Sequence, residues 1–154
     1  MKYEIVELKE KVVKGIEVKT TNQDGKAIKD IGKTWQRLFT EGIYEKIKNK
    51  VNDKTIGLYT EYEKDYTQPY TFIAGAEVSK DVENDEQIVS KVIEKGKYAK
   101  FVVIGDVQNS VGRAWREIWN MDLNRKYICD FEEYQNNSKD MQKQEIHIYI
   151  SLED

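Results

Sequence analysis

Apolar residues recur at helical period in two stretches of the chain. In the first, Ile31, Trp35, Leu38, Phe39 and Ile43 fall at i, i+4, i+7, i+8 and i+12, a single stripe. In the second, Val111, Trp115, Ile118 and Trp119 repeat it. Asp30 is placed to cap the first helix, with Gly42 near its end, and Asn109 or Ser110 to cap the second. Runs rich in β-branched and aromatic residues, bounded by polar turns, predict strands at 11–20, 56–62, 70–78, 98–104, 126–134 and 145–150. The polar, charged segment 79–95 reads as a connection between halves, and 135–144 as a hairpin loop.

The two helices are related in sequence. Residues 31–39 read IGKTWQRLF and residues 111–119 read VGRAWREIW, an offset of 80 residues. Glycine and tryptophan are both uncommon and both keep their spacing, which points to two copies of one unit. Each half then reads strand–helix–strand–strand. Repeat one covers about 1–80 and repeat two about 93–152, within a single domain, 1–154. The predicted fold class is α+β: an antiparallel sheet built from duplicated strand–helix–strand–strand units. Helices cover one face and the other is left for the pseudo-twin or a ligand.

Strand alternation sorts the side chains. Ile146, Ile148 and Ile150 are expected on the helix side together with Phe131; Asp130, Glu132 and Tyr134 are expected on the opposite side. An offset of 72 aligns Thr60 with Glu132 and Tyr62 with Tyr134. The resulting surface holds Glu132, Tyr134, Tyr62, Tyr70, Tyr98 and Trp119. Aromatic rings around one carboxylate suit a flat, lipophilic, cationic guest, because the rings offer apolar area and a negative face. The spacing of Glu132 fits a solvated strand-edge residue as well. Trp35 and Trp115 lie on the apolar stripes and are expected in the core. Cys129 reads as a small buried hydrophobe, and His147 as an ordinary strand residue.

Composition narrows the function classes. Of 154 residues, 39% are hydrophobic and 34% charged, with a formal net charge of −3; this argues against a nucleic-acid protein, which needs a clustered positive surface. The 3 Trp, 10 Tyr and 4 Phe can supply a core and still furnish a binding surface. The single cysteine makes no internal disulfide, and no apolar run approaches the ~18 residues a membrane span needs. The expectation is a cytoplasmic protein with no membrane partner. Gly-rich phosphate loops and metal-ligand spacings do not occur, so no cofactor and no metal are expected.

The order of IGKTW, GLYTEY, YTFIAGAEV, GKYAKF, VGRAW, AWREIW, DFEEY and IHIYISL resembles the GyrI-like family, the effector-binding domain of bacterial multidrug-responsive transcription activators, also found free-standing. The resemblance implies pseudo-twofold symmetry and an aromatic ligand groove between the repeats, with Glu132 of DFEEY meeting cationic lipophilic ligands and Tyr134, Tyr62, Tyr98 and Trp119 around it. No helix-turn-helix precedes the first predicted strand, so direct DNA binding is not expected, and any regulatory role needs a protein partner. The same resemblance implies an alternative. Some family members are similar to hydrolases that open strained, electrophilic rings in toxic natural products, and there Glu132 would be the general base with Tyr134 or Tyr98 as proton donor. A third reading is docking onto a partner such as a topoisomerase subunit.

Overall fold

The computed structural model describes residues 1–82 and 86–154. Eight strands form one antiparallel sheet: β1 (Glu4–Leu8), β2 (Lys11–Thr20), β3 (Thr55–Thr60), β4 (Tyr70–Val78), β5 (Val89–Ile93), β6 (Gly96–Gly105), β7 (Arg125–Tyr134) and β8 (Gln144–Leu152). Two long helices, α1 (Lys26–Thr40) and α3 (Val107–Trp119), flank a single-turn helix α2 (Ile43–Lys46). The strand order is β1-β6-β8-β7-β3-β4-β2-β5. It reads the same from either end when β1–β4 are exchanged with β5–β8, so the duplicated halves occupy equivalent places about the central β3–β7 pair.

β1 and β5 are additions to the expected elements. Each is five residues long and interspersed with charge, and β5 lies inside the polar connection 79–95, of which residues 83–85 fall outside the described residues. Each pairs with the other half: β1 with β6, and β5 with β2. This crossing forces closure. Residues 9–10 join β1 to β2 and residues 94–95 join β5 to β6, yet each joined pair stands six places apart in the strand order. Six spacings in a flat sheet cover roughly 29 Å, whereas a two-residue link reaches only about 11 Å. The sheet must therefore curl until its edges approach.

The curled interior is a strand-only core. Leu58, Ile73 and Phe131 are fully buried there beside Val13, Tyr98 and Cys129, although no helix among the described residues contributes to that cluster. On the outer side α1 packs against β2 and β4, and α3 against β6 and β8. Ile146, Ile148 and Ile150 face α3 as expected. Phe131 does not. In an antiparallel pair, directly opposed residues share a face. Gly57 opposes Glu132 and Tyr59 opposes Asp130, while Leu58 opposes Phe131. Glu132 and Tyr134 therefore lie on the helix side and Phe131 in the strand-only core. The offset of 72 also fails, because Thr60 opposes Cys129 and faces away from Glu132. The structure differs from the expectation because both faces of the sheet are buried, so an apolar residue does not reveal which face the helices cover.

The helix starts also moved. α1 begins at Lys26 behind Gly25, whose φ of 70° is the left-handed region glycine adopts freely. Asp30 lies one turn inside and accepts from Thr20 Oγ1 at 2.8 Å, tying the helix to the end of β2. α3 is capped by Asp106, whose carboxylate accepts from the Asn109 backbone N–H at 3.1 Å.

Candidate ligand-binding site

The central strands β3 and β7 lie between the two helix-covered halves. Over them is a cavity of about 480 Å³, walled by α1 and α3 and lined from both halves. Its floor begins with glycine. A Cβ on Gly57 would stand 2.9 Å from Glu132 Oε1, 3.0 Å from Trp35 and 3.1 Å from Phe72. The bare backbone at 57 thus makes the space in which the Glu132 carboxylate sits. Gly57→Ala is expected to displace that carboxylate, cost about 1–3 kcal/mol as an overpacked site, and weaken any ligand held by it. Urea unfolding and a ligand titration on the same protein check both effects.

Glu132 is 1% exposed. Its Oε2 accepts from Tyr59 Oη at 2.7 Å and Trp115 Nε1 at 2.6 Å, and its Oε1 from Tyr134 Oη at 2.8 Å. All three donors are neutral. Burial pushes the carboxyl above its usual range, and the three hydrogen bonds pull it back only in part. The Tyr59 and Tyr134 phenols are driven well above 10 by burial and then by the adjacent carboxylate, so they remain donors.

A second acid sits two residues along β7, roughly 7 Å away by strand rise. Asp130 is fully buried. It accepts from Tyr62 Oη at 2.5 Å, Arg125 Nη2 at 2.8 Å and the Ser151 backbone N–H at 2.9 Å. Two left-handed residues help set this corner. Glu61 (φ 52°) follows β3, and Tyr127 (φ 55°) sits where the β7–β8 register shifts between Arg125 and Asp130. These breaks in simple alternation accompany Tyr62 and Arg125 on the cavity side. The Arg125 guanidinium lies 4.2 Å from the Tyr127 ring centroid.

Five of the sequence-predicted residues line this one cavity: Glu132, Tyr134, Tyr62, Tyr70 and Trp119. Tyr98 does not. It is buried in the strand-only core, donating to the Glu94 carbonyl at 2.5 Å and 3.1 Å from Cys129 Sγ. Ala99 and Phe101, of opposite parity on β6, pack in the cluster beneath α3, whereas Tyr98, opposed to Ser151, belongs to the strand-only core. The assignment of Tyr98 to the groove is thereby corrected. Trp115 is buried in the core beneath α3, as expected, and half-buried Trp35 packs against the core beneath α1; both also wall the cavity, so all three tryptophans border the same space. Tyr59, Tyr66 and Arg125 were not anticipated. Tyr66 stacks on Trp119 with ring centroids 5.3 Å apart and planes 6° from parallel.

The duplicated motif could have revealed this wall. Gly32 and Gly112 both border the cavity, one from each helix. A Cβ on Gly32 would meet nothing within 4 Å, and one on Gly112 only the Arg116 guanidinium at 3.6 Å. The repeated Gly-x-x-Trp therefore pairs open space with an aromatic plate on each side of the slot.

Comparison with known proteins gives the same outline. Residues 4–152 match the Cass2 family, described as integron-associated effector binding protein. The integron cassette protein VCH_CASS2, from the mobile metagenome of Vibrio cholerae, has 29% sequence identity and a TM-score of 0.75, covering 98% of this chain and 95% of its own. YobU of Bacillus subtilis (strain 168), by name a candidate transcriptional regulator, is 28% identical over 122 residues, 77% of this chain and 76% of YobU. SAV2435, solved bound to tetraphenylphosphonium, shares the fold with a TM-score of 0.80 at 20% identity, covering 99% of this chain and 94% of that one. Among the described residues, no helix is long and apolar enough to cross a membrane.

Proposed function

This chain belongs to the Cass2 family of integron-associated effector binding proteins, and from that premise we propose that it binds a lipophilic, aromatic, cationic small molecule in the cavity between α1 and α3. One observation carries the reading: a buried carboxylate, Glu132, lining an aromatic cavity and held by three neutral donors, with no cation paired to it among the described residues. A positive ligand would provide the counter-charge the protein withholds, in a place where low polarity makes that pairing count. Trp35, Trp115 and Trp119 would supply apolar contact and ring faces. SAV2435 carries a ligand of this chemistry, which supports the reading. Three of the roughly four acceptor sites of the Glu132 carboxylate are already occupied, which favours holding a cation over activating a water for hydrolysis. A link of this binding site to transcriptional regulation is supported by the name of YobU, which suggests such a role for that protein.

The test uses the protein's own fluorophores. Tetraphenylphosphonium is expected to quench the tryptophan emission saturably at micromolar concentrations. Triphenylphosphine oxide, neutral and similarly aromatic, is expected to bind at least tenfold more weakly. Equal binding of the two would remove the charge role, and no saturable quenching by either would remove the site.

A further inference from the structure

The cavity wall contains an unfinished hydrogen-bonding group at some distance from Glu132. The Arg125 side chain is 5% exposed. Its Nη2 donates to Asp130 Oδ2, but its Nε and Nη1 are buried and find no hydrogen-bond partner among the described residues. Buried guanidinium N–H groups are costly to leave unpaired. The nearest aromatic groups, Tyr127 and Tyr66, present ring faces to the guanidinium at 4.2 and 6.0 Å; these temper its charge but accept no conventional hydrogen bond. Arg125 lines the same cavity as Glu132, and so does Arg116 on α3.

Among the described residues, the charged groups bordering the cavity are therefore one acid and two guanidinium groups. That is a poor match for a ligand that is only a cation. It suits a molecule positive at one end and electron-rich at the other. Building on the reading above, we propose that the ligand is a bipolar aromatic compound: its cationic part lies beside Glu132, and an acceptor group, a carboxylate in the strongest case, completes the hydrogen bonding of Arg125. Asp130 then serves as the positioning residue. It fixes the guanidinium through Nη2 and is itself held by Tyr62 and Ser151, which leaves the separate Nε and Nη1 donors for an acceptor of the ligand. Tyr66 and Trp119, stacked on each other at this end, would move aside or rest against the ligand's rings.

Rhodamine B and its ethyl ester separate the two ideas. They share a cationic ring system, and only the first carries a carboxylate. Fluorescence titration of the wild-type protein is expected to show the free carboxylate binding about tenfold more tightly than the ester. The variant Arg125→Met/Asp130→Asn removes both charges of the buried pair together, so neither is left stranded, and its carboxylate-to-ester ratio should fall to about one. Arg116→Gln removes the other guanidinium that borders the cavity, and the carboxylate-to-ester ratio should persist there if Arg125 is the partner of the carboxylate. Equal wild-type affinities, or a preference for the ester, would overturn the inference while leaving the cation reading standing. A preference abolished by Arg116→Gln and retained in Arg125→Met/Asp130→Asn would overturn the assignment to Arg125. Failure of both dyes to bind the wild-type protein would instead sink the cavity reading on which the inference rests. Should the double variant fail to fold, the wild-type ratio and the Arg116→Gln ratio still decide the matter.

Discussion

Glu132→Gln is expected to lower the affinity for tetraphenylphosphonium by roughly 30- to 100-fold and, in the same protein, to raise the unfolding temperature of the ligand-free state at neutral pH. The first effect follows from charge. A cation about 6 Å from a carboxylate, at an effective dielectric near 20, gains about 2–3 kcal/mol, and each 1.4 kcal/mol is tenfold in affinity. The second follows from burial. The folded-state pKa of Glu132 lies above its ordinary value, with burial the leading cause. The folded protein therefore holds this proton to higher pH than the unfolded chain does. Stability is lost as pH rises from the unfolded carboxylate pKa through the raised folded one, and at neutral pH the ionised form carries that penalty. Glutamine removes it. Its carbonyl can still accept from Tyr59 and Trp115, and its amide can donate to the Tyr134 oxygen. The same linkage makes cation affinity fall as pH falls through the raised pKa in the wild-type protein, a dependence the Gln variant should lack. Thermal unfolding with and without ligand measures both effects. A variant that is less stable, or that loses triphenylphosphine oxide as severely as the phosphonium, would mean that the carboxylate is structural.

That a residue should weaken the empty protein and strengthen the occupied one also explains what the sequence could and could not reveal. The duplicated Gly-x-x-Trp helices, the central strands and the acid in DFEEY are legible because each is a local pattern: a 3.6-residue stripe, an alternation, a repeated pair of uncommon residues. Strand boundaries for β2 and β4 came out as observed. What stayed hidden depends on the whole chain. β1 and β5 are too short and too charged to announce themselves, yet their pairing with the opposite half closes the sheet. Closure buries both faces, and that is why Phe131 and Tyr98 were set on the wrong sides: the period-2 pattern says which residues share a face, never which face a helix will cover. Trp35 and Trp115 pack on the cores as their stripes predict and wall the cavity as well, which the stripes alone do not show. An apolar stripe marks the buried side of a helix, and a ligand cavity is buried in the same sense as a core. Arg125 was invisible because its place depends on the left-handed Tyr127 and on a register shift that no spacing rule anticipates.

Gly75→Ala is expected to be the most damaging single methyl addition in the molecule, at about 3 kcal/mol or more, with the urea midpoint falling sharply. Alanine normally stabilises a strand relative to glycine by about 0.5–1 kcal/mol, so the predicted sign is reversed. The reason is a close approach of two backbones. Gly75 in β4 opposes Gly15 in β2. A Cβ at 75 would lie 1.9 Å from the Lys14 carbonyl oxygen, and a Cβ at 15 would lie 2.0 Å from that of Ala74. These obstacles are main chain, so no rotamer change relieves them; either the strands separate or their ladder breaks. β2 also carries β5 at the sheet edge, so separation there would loosen the closure that seals the strand-only core. Because both glycines serve one contact, Gly15→Ala/Gly75→Ala should cost clearly less than the sum of the single changes. Gly32→Ala supplies the contrast. It is the same chemical change, in α1 and with open space around the new methyl, and it should stabilise by up to about 1 kcal/mol. If Gly75→Ala leaves the midpoint within the range of Gly32→Ala, the two strands do not meet as closely as described, and the tight curl of the sheet around its interior loses its support.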